Sequence, residues 1–98
     1  MSPRDPLLTD GELAEGLASL PAWTIEGGRL HREFTFVDFA AAFAFMTRVA
    51  AIAESLDHHP DWSNSWNRVV VDITSHDSGG PTWRCLELAR RIDEVVAQ

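Results

Sequence analysis

The sequence predicts an α+β domain in which an antiparallel sheet carries helices on one face. Three observations predict it. Residues 68–75 alternate strictly, with Val69, Val71 and Ile73 on one side and Val70, Asp72 and Thr74 on the other, the pattern of a half-buried strand. Gly27-Gly28 separates two strand-like segments, as a tight hairpin turn does. Apolar residues recur at spacings of three and four over 38–56 and again at the end of the chain, which marks helices packed on a sheet. Hairpin strands with helices between them point to α+β rather than to a parallel sheet.

The elements follow in order. Residues 1–6 read as a frayed end. Thr9 opens a short helix, with Glu12 completing a capping box and Leu13, Leu17 and Leu20 on one face; Pro21 stops it. Strands at 23–26 and 29–35 flank the glycines. In the second, Leu30, Arg32 and Phe34 share a face, so Arg32 interrupts an otherwise apolar side. A long helix spans about 38–56, with Phe39, Phe43, Met46, Ala50 and Ala53 as its stripe and Phe45, Val49, Ile52 and Leu56 widening it. Pro60 disfavours helix at His59, which ends the helix near Asp57 or His58. A strand region and the 68–75 strand follow. Gly79-Gly80-Pro81 breaks the chain, and Thr82 caps a last helix to about Ala97 that buries Leu88, Ala89, Ile92, Val95 and Val96.

Composition bounds the function. Ninety-eight residues, 45% of them hydrophobic and four of them tryptophan, suffice for one domain over 1–98. A domain this small buries only roughly 60–70% of its unfolded surface, so association into a homodimer or homotetramer is expected. The face carrying Val70 and Thr74 is the candidate contact. The net charge is -7, and the eight basic residues are all arginine, adjacent only at Arg90-Arg91. Such a chain repels phosphate backbones, which excludes nucleic acid as a direct partner. The single cysteine, Cys85, excludes an internal disulfide framework and fits a reducing compartment. Residues 1–10 lack the apolar run of a signal peptide, and no window is expected to reach the ~18 apolar residues of a membrane span. The expected location is cytoplasmic, with no membrane partner.

Three histidines stand at element ends: His58 and His59 at the end of the long helix, His76 at the end of the last strand. Imidazole titrates near ~6.5 and exchanges protons at cellular pH. Glu54 lies four residues before His58, on its helical face if the helix persists. That carboxylate and the negative helix end would favour imidazolium and make His58 a general acid. His31, in a strand between Arg32 and Glu33, reads as a hydrogen-bonding surface residue. A metal site is not expected, because adjacent histidines are poorly placed on one ion and no Cys-x-x-Cys or His-x3-His accompanies them.

Together these residues form a longer pattern. Glu54-Ser-Leu-Asp-His58-His59-Pro60, then Trp66-Asn67, then Ser75-His76-Asp77, resembles the signature of the pterin-4a-carbinolamine dehydratases. Phe45-Met46-Thr47-Arg48-Val49-Ala50 and Leu88-Ala89-Arg90-Arg91-Ile92-Asp93 are similar to that family too, and the resemblance covers roughly residues 9–97. It implies a four-stranded antiparallel sheet with three helices packed on one face, assembled as dimers or tetramers. It implies the dehydration of 4a-hydroxytetrahydrobiopterin to quinonoid dihydropterin in tetrahydropterin recycling, with a functional link to an aromatic amino acid hydroxylase. Pterin is then the substrate, and no cofactor or metal is required. Carried across, the resemblance makes His58, His59 and His76 the catalytic set, with His58 the acid, His76 the base and His59 gripping the pterin. Glu54, Asp57, Pro60, Trp23 and Ser75 are the expected substrate-binding set, with Trp23 over the pterin. Trp62 and Trp66 are expected in packing or an interface.

One position departs from the family pattern. Where Gly-Leu-Thr-x-x-Asp is usual, this chain reads Gly80-Pro81-Thr82-Trp83-Arg84-Cys85. With Thr82 as the cap, an acid at 85 would complete a capping box; cysteine is expected to lose that bond and to sit half-buried as packing. The alternative function is therefore a catalytically weakened relative that serves as a protein-binding or assembly module.

Overall fold

The computed structural model describes residues 5–97. It runs α1 (Asp10–Ala18), β1 (Thr24–Glu26), β2 (Arg29–Thr35), α2 (Phe39–Leu56), β3 (Asp61–Ser65), β4 (Arg68–Ile73) and α3 (Trp83–Ala97). The strands form one antiparallel sheet in the order β1-β2-β4-β3. The α+β class, with four strands and three helices, is the one the sequence predicts. Of the start expected to fray, 1–4 lie outside the described residues. Asp5 is held, its carbonyl accepting from Ser78 Oγ at 2.5 Å.

Local chemistry sets each boundary. Thr9 and Glu12 exchange the two bonds of the capping box, at 2.8 and 3.1 Å. Gly27 and Gly28 take φ of 59° and 77°, the left-handed pair a two-residue hairpin turn needs. The second hairpin turns on Trp66-Asn67, between paired Ser65 and Arg68. Trp66 itself adopts φ 49°, and Asn64 Nδ2 secures the turn by donating to the carbonyls of Trp66 and Arg68. Trp66 is 65% exposed there, so it is a turn residue and not core.

The register Leu30↔Ile73, Arg32↔Val71, Phe34↔Val69 puts one face of β2 and β4 under the helices. Val69, Val71, Ile73, Leu30 and Phe34 are buried there with Leu88, Ala89 and Ile92 of α3. α1 meets α3 closely, since a Cβ on Gly16 would lie 2.4 Å from Leu86 Cδ1. α2 presents Ala42, Phe45, Val49 and Ala53 to the core. The stripe expected from Phe39, Phe43 and Ala50 is thus rotated: Phe39 and Phe43 are 49% and 55% exposed and pack on each other, centroids 5.8 Å apart. The helix is apolar on more of its circumference than the sheet can cover, and periodicity alone does not say which arc is buried. With 18 residues and mean hydropathy 1.4, α2 is by length and composition apolar enough to cross a membrane, contrary to the expectation for this chain. Val96 of α3 also stays partly exposed.

The opposite face of the sheet is ionic. His31 Nδ1 lies 2.8 Å from Asp72 Oδ1 and its Nε2 3.1 Å from Glu33 Oε2, while Arg68 pairs with Glu33. The hydrogen bond that the ring donates to Asp72 raises the His31 pKa above its ordinary value, against the pull of burial. β4 ends at Ile73, so Thr74 leaves the sheet and only Val70 stands among these charges.

Arg32 finds its partner in α3. Its Nη1 donates to Asp93 Oδ1 at 2.5 Å, its guanidinium stacks 4.4 Å over the Phe34 ring, and Trp23 Nε1 donates to the same Asp93 oxygen at 2.8 Å. One carboxylate therefore satisfies two donors inside the apolar layer. Asp93→Ala strands both and is expected to cost about 2–4 kcal/mol of unfolding free energy, read by urea denaturation. A change within about 0.5 kcal/mol would show the bonds to be dispensable.

Candidate functional site

The site begins where α2 ends. Asp57 takes φ 50° and ψ 43°, a left-handed conformation that aspartate tolerates better than most residues. His58 N–H then donates to Ala53 O at 3.0 Å and Asp57 N–H to Glu54 O at 3.1 Å, the paired bonds of a Schellman cap. This turn takes His58 off the helical repeat. Glu54 consequently meets His59, whose Nε2 lies 2.7 Å from Glu54 Oε1. The expected Glu54–His58 pair is corrected: the four-residue spacing matters only while the helix continues, and it stops two residues too soon.

His58 turns inward to the start of α3. Its Nε2 lies 3.4 Å from Cys85 Sγ. Cys85 is 0% exposed, not half-buried, and its sulfur also lies 3.4 Å from Ser75 Oγ and accepts from Thr82 N–H at 3.4 Å. The thiol thus takes up the reciprocal capping bond that cysteine was expected to forgo. Ser75 and Thr82, both buried, share a 2.7 Å hydroxyl–hydroxyl bond.

Arg84 ties the same corner together. Its Nη1 donates to Leu56 O at 2.6 Å, capping the carbonyl end of α2. Its Nε lies 2.8 Å from Asp5 Oδ2 without a hydrogen-bond alignment, so that contact is an ion pair only. Across from it, a loop closed by the Ser75↔Gly80 bridge carries His76, which lies beyond β4 rather than at its end. His76 Nε2 is 2.9 Å from Asp61 Oδ2, the oxygen that also pairs with Arg29 at 3.3 Å.

These parts line a cleft of about 290 Å³ that contains His58, His59, His76, Asp57, Ser75 and Arg84. The three sequence-predicted histidines share it, with Asp57 and Ser75. Three other expected residues do not line it. Glu54 reaches the site through His59, and Pro60 shapes the turn. Trp23 is 4% exposed and packs edge-on against Phe34 with its N–H spent on Asp93, so it is core. Sequence reasoning missed Asp5, Thr74, Asp77 and Ser78, which also line the cleft. Nothing periodic marks them, though Asp77 lies inside the Ser75-His76-Asp77 motif and Arg84 inside the one that holds Cys85. Among the described residues no three His, Cys, Asp or Glu side chains are grouped to hold a metal ion.

Burial lowers the His58 pKa below its ordinary value, helped by Arg84 and opposed by Asp5. This environment favours the neutral ring, the reverse of the imidazolium expected from Glu54. A depressed folded-state pKa contributes stability that is complete above the unfolded value of ~6.5 and lost as pH falls through the folded one. His58 is expected to titrate below a free histidine in an NMR pH series, and Arg84→Gln to bring it part of the way back. A His58 titration above ~6.5 would contradict this environment.

Comparison with known proteins agrees with the fold and the motif. The family model described as pterin 4 alpha carbinolamine dehydratase matches residues 6–95. A Rhizorhabdus wittichii protein bearing the provisional name pterin-4-alpha-carbinolamine dehydratase is 54% identical over 91 residues, covering 91% of this chain and 94% of its own. A Solibacter usitatus protein of the same provisional name is 44% identical over 90 residues, 92% of this chain and 95% of its own. The crystal structure of a transcriptional coactivator/pterin dehydratase from Brucella melitensis superposes with a TM-score of 0.86 at 41% identity, covering 91% of this chain and 97% of that one. With a family model over residues 6–95 and relatives up to 54% identical over most of its length, the chain belongs to the pterin-4a-carbinolamine dehydratase family.

Proposed function

We propose that this protein dehydrates a 4a-hydroxytetrahydropterin, of the 4a-hydroxytetrahydrobiopterin type, to the quinonoid dihydropterin. The observation that carries the reading is the convergence of His58, His59 and His76 on one cleft in a chain of this family. The reaction breaks the C4a–O bond, removes the proton from N5 and forms the C4a=N5 double bond, releasing water. One group must protonate the departing hydroxyl and another must accept the N5 proton; each transfer is typically worth 10²–10⁴-fold.

The electrostatics divide these roles. His58 is partly buried and its pKa is held below the ordinary value, which suits it to accept the N5 proton. His76, oriented by Asp61, is the donor to the hydroxyl, and His59, braced by Glu54, holds the pterin. This exchanges the acid and base expected from sequence, because Glu54 braces His59 instead of His58. Asp57, Ser75 and Arg84 complete the binding walls.

A protein-binding role is the second reading. It draws on the exposed Phe39–Phe43 pair beside solvent-facing Val37, and on the Brucella relative, which is described as a transcriptional coactivator as well as a dehydratase. The same apolar arc of α2 supports self-association, whereas the ionic sheet face does not. A homodimer or homotetramer is expected by sedimentation at micromolar concentration, weakened by Phe43→Glu; a monomeric wild type would remove that role from the arc.

The direct test is the dehydration of 4a-hydroxytetrahydropterin by the purified protein. His58→Ala and His76→Ala should each slow it by about 10²-fold or more with the circular dichroism spectrum unchanged. Wild-type rates in both variants would sink the histidine assignment, and an inactive wild type would favour the binding role.

A further inference from the structure

We propose that Cys85 is a positioning residue for the dehydration, its sulfur accepting the Nε2 proton of His58 and so turning Nδ1 to the cleft as the nitrogen that receives the proton from substrate. The inference rests on the proposed dehydratase reading and deepens it at a position where this chain departs from its family.

The bonding pattern of the thiol carries the argument. Sulfur lies 3.4 Å from each of three groups: Thr82 N, Ser75 Oγ and His58 Nε2. The amide can only donate, so it takes one sulfur lone pair. The Ser75 hydroxyl is already within 2.7 Å of Thr82 Oγ1, and when it donates there its oxygen is left to accept the S–H proton. In that arrangement the remaining sulfur lone pair faces Nε2, which then carries the hydrogen. A neutral ring protonated at Nε2 has its free lone pair on Nδ1. The first turn of α3 thereby selects a histidine tautomer without a carboxylate at the Nε2 contact.

The missing charge has a consequence. The groups facing His58 are Arg84 and Cys85 from α3, Asp5 from the start of the chain, Asp57 and His59 from the end of α2, and His76 and Asp77 across the cleft. A carboxylate at 85 would add an anion at the Nε2 contact and favour imidazolium, by about 1–3 pH units for a close opposite charge. Sulfur accepts the same proton without adding that anion, so His58 remains a base at lower pH. A base must be unprotonated to work, so the acid limb of the rate profile follows its titration.

Nitrogen-15 NMR of the histidine ring reads the tautomer and titration of His58, and pH–rate profiles read its use. Wild-type protein is expected to show a predominantly Nε2–H neutral ring. Cys85→Ala should lose that preference and lower kcat by about 10-fold with little change in KM. Cys85→Ser, which keeps a lone pair in place, should recover the rate to within about threefold. Cys85→Asp should keep the Nε2–H tautomer while moving both the titration and the acid limb up by about one pH unit or more. Cys85→Ala with a wild-type tautomer and pH profile would overturn the proposal, as would a wild-type ring protonated at Nδ1. An inactive wild type with the Nε2–H ring would overturn only the dehydratase reading.

Discussion

The left-handed turn at Asp57 is the constraint on which the rest of the site depends. A helix that ran one turn further would stack Glu54 and His58 on one face and keep both in solvent. Ending it with the Schellman bonds from His58 and Asp57 reverses the chain and separates two adjacent histidines. One is sent inward to α3; the other stays outside with Glu54. Pro60 makes the exit permanent, since it lacks an amide donor and restrains the residue before it. Arg84 then caps the Leu56 carbonyl at the end of α2 from α3, so these two helices also fix His58 between them.

The start of α3 is the second fixed point, and it is polar where the surrounding core is not. Ser75, Thr82 and Cys85 are buried, and each has a hydrogen-bonding neighbour within the cluster. Unsatisfied, such groups would each cost about 1–3 kcal/mol. Linked, they join the loop after β4 to the first turn of α3. That link holds the 75–80 loop, and with it His76, at a set distance from the end of α2. The cleft is therefore made by two chain reversals, each stabilised by hydrogen bonds at a helix end, and its walls come from stretches of chain 70 residues apart between Asp5 and Ser75.

Much of the fold was legible because its signals are local. The capping box at Thr9, the Gly27-Gly28 turn and the alternation of β4 each depend on a few neighbouring residues, and each is found where the sequence puts it. The histidines were legible as a motif. What was not legible needed tertiary knowledge. The helical repeat of α2 places Phe39 and Phe45 on overlapping apolar arcs, and only the packed sheet decides that Phe45 is inside. Trp23 carries the same chemistry whether it covers a ligand or a core, and Asp93, seventy residues away, decides it. Trp66 occupies a φ that glycine or asparagine would normally signal, so its turn was hidden. Glu54 and His58 misled because a spacing rule was carried past the end of its helix.

Cysteine at position 85 fits a family member better in three dimensions than in one. Read along the chain, it stands where the family resemblance implies an acid, at a helix start where a carboxylate gains from the cap and from the macrodipole. In the fold, the position is sealed from water between an imidazole, an amide and a hydroxyl. A buried carboxylate there would need compensation for its lost hydration, and protonated His58 would be the nearest cation to supply it. A carboxylate at 85 and a proton on His58 would thus favour each other. In this chain burial and Arg84 oppose protonation of His58, against the smaller pull of Asp5 and Asp57. Against the aspartate that the family resemblance implies, sulfur keeps the capping bond of the first turn of α3 without bringing a carboxylate to the His58 contact.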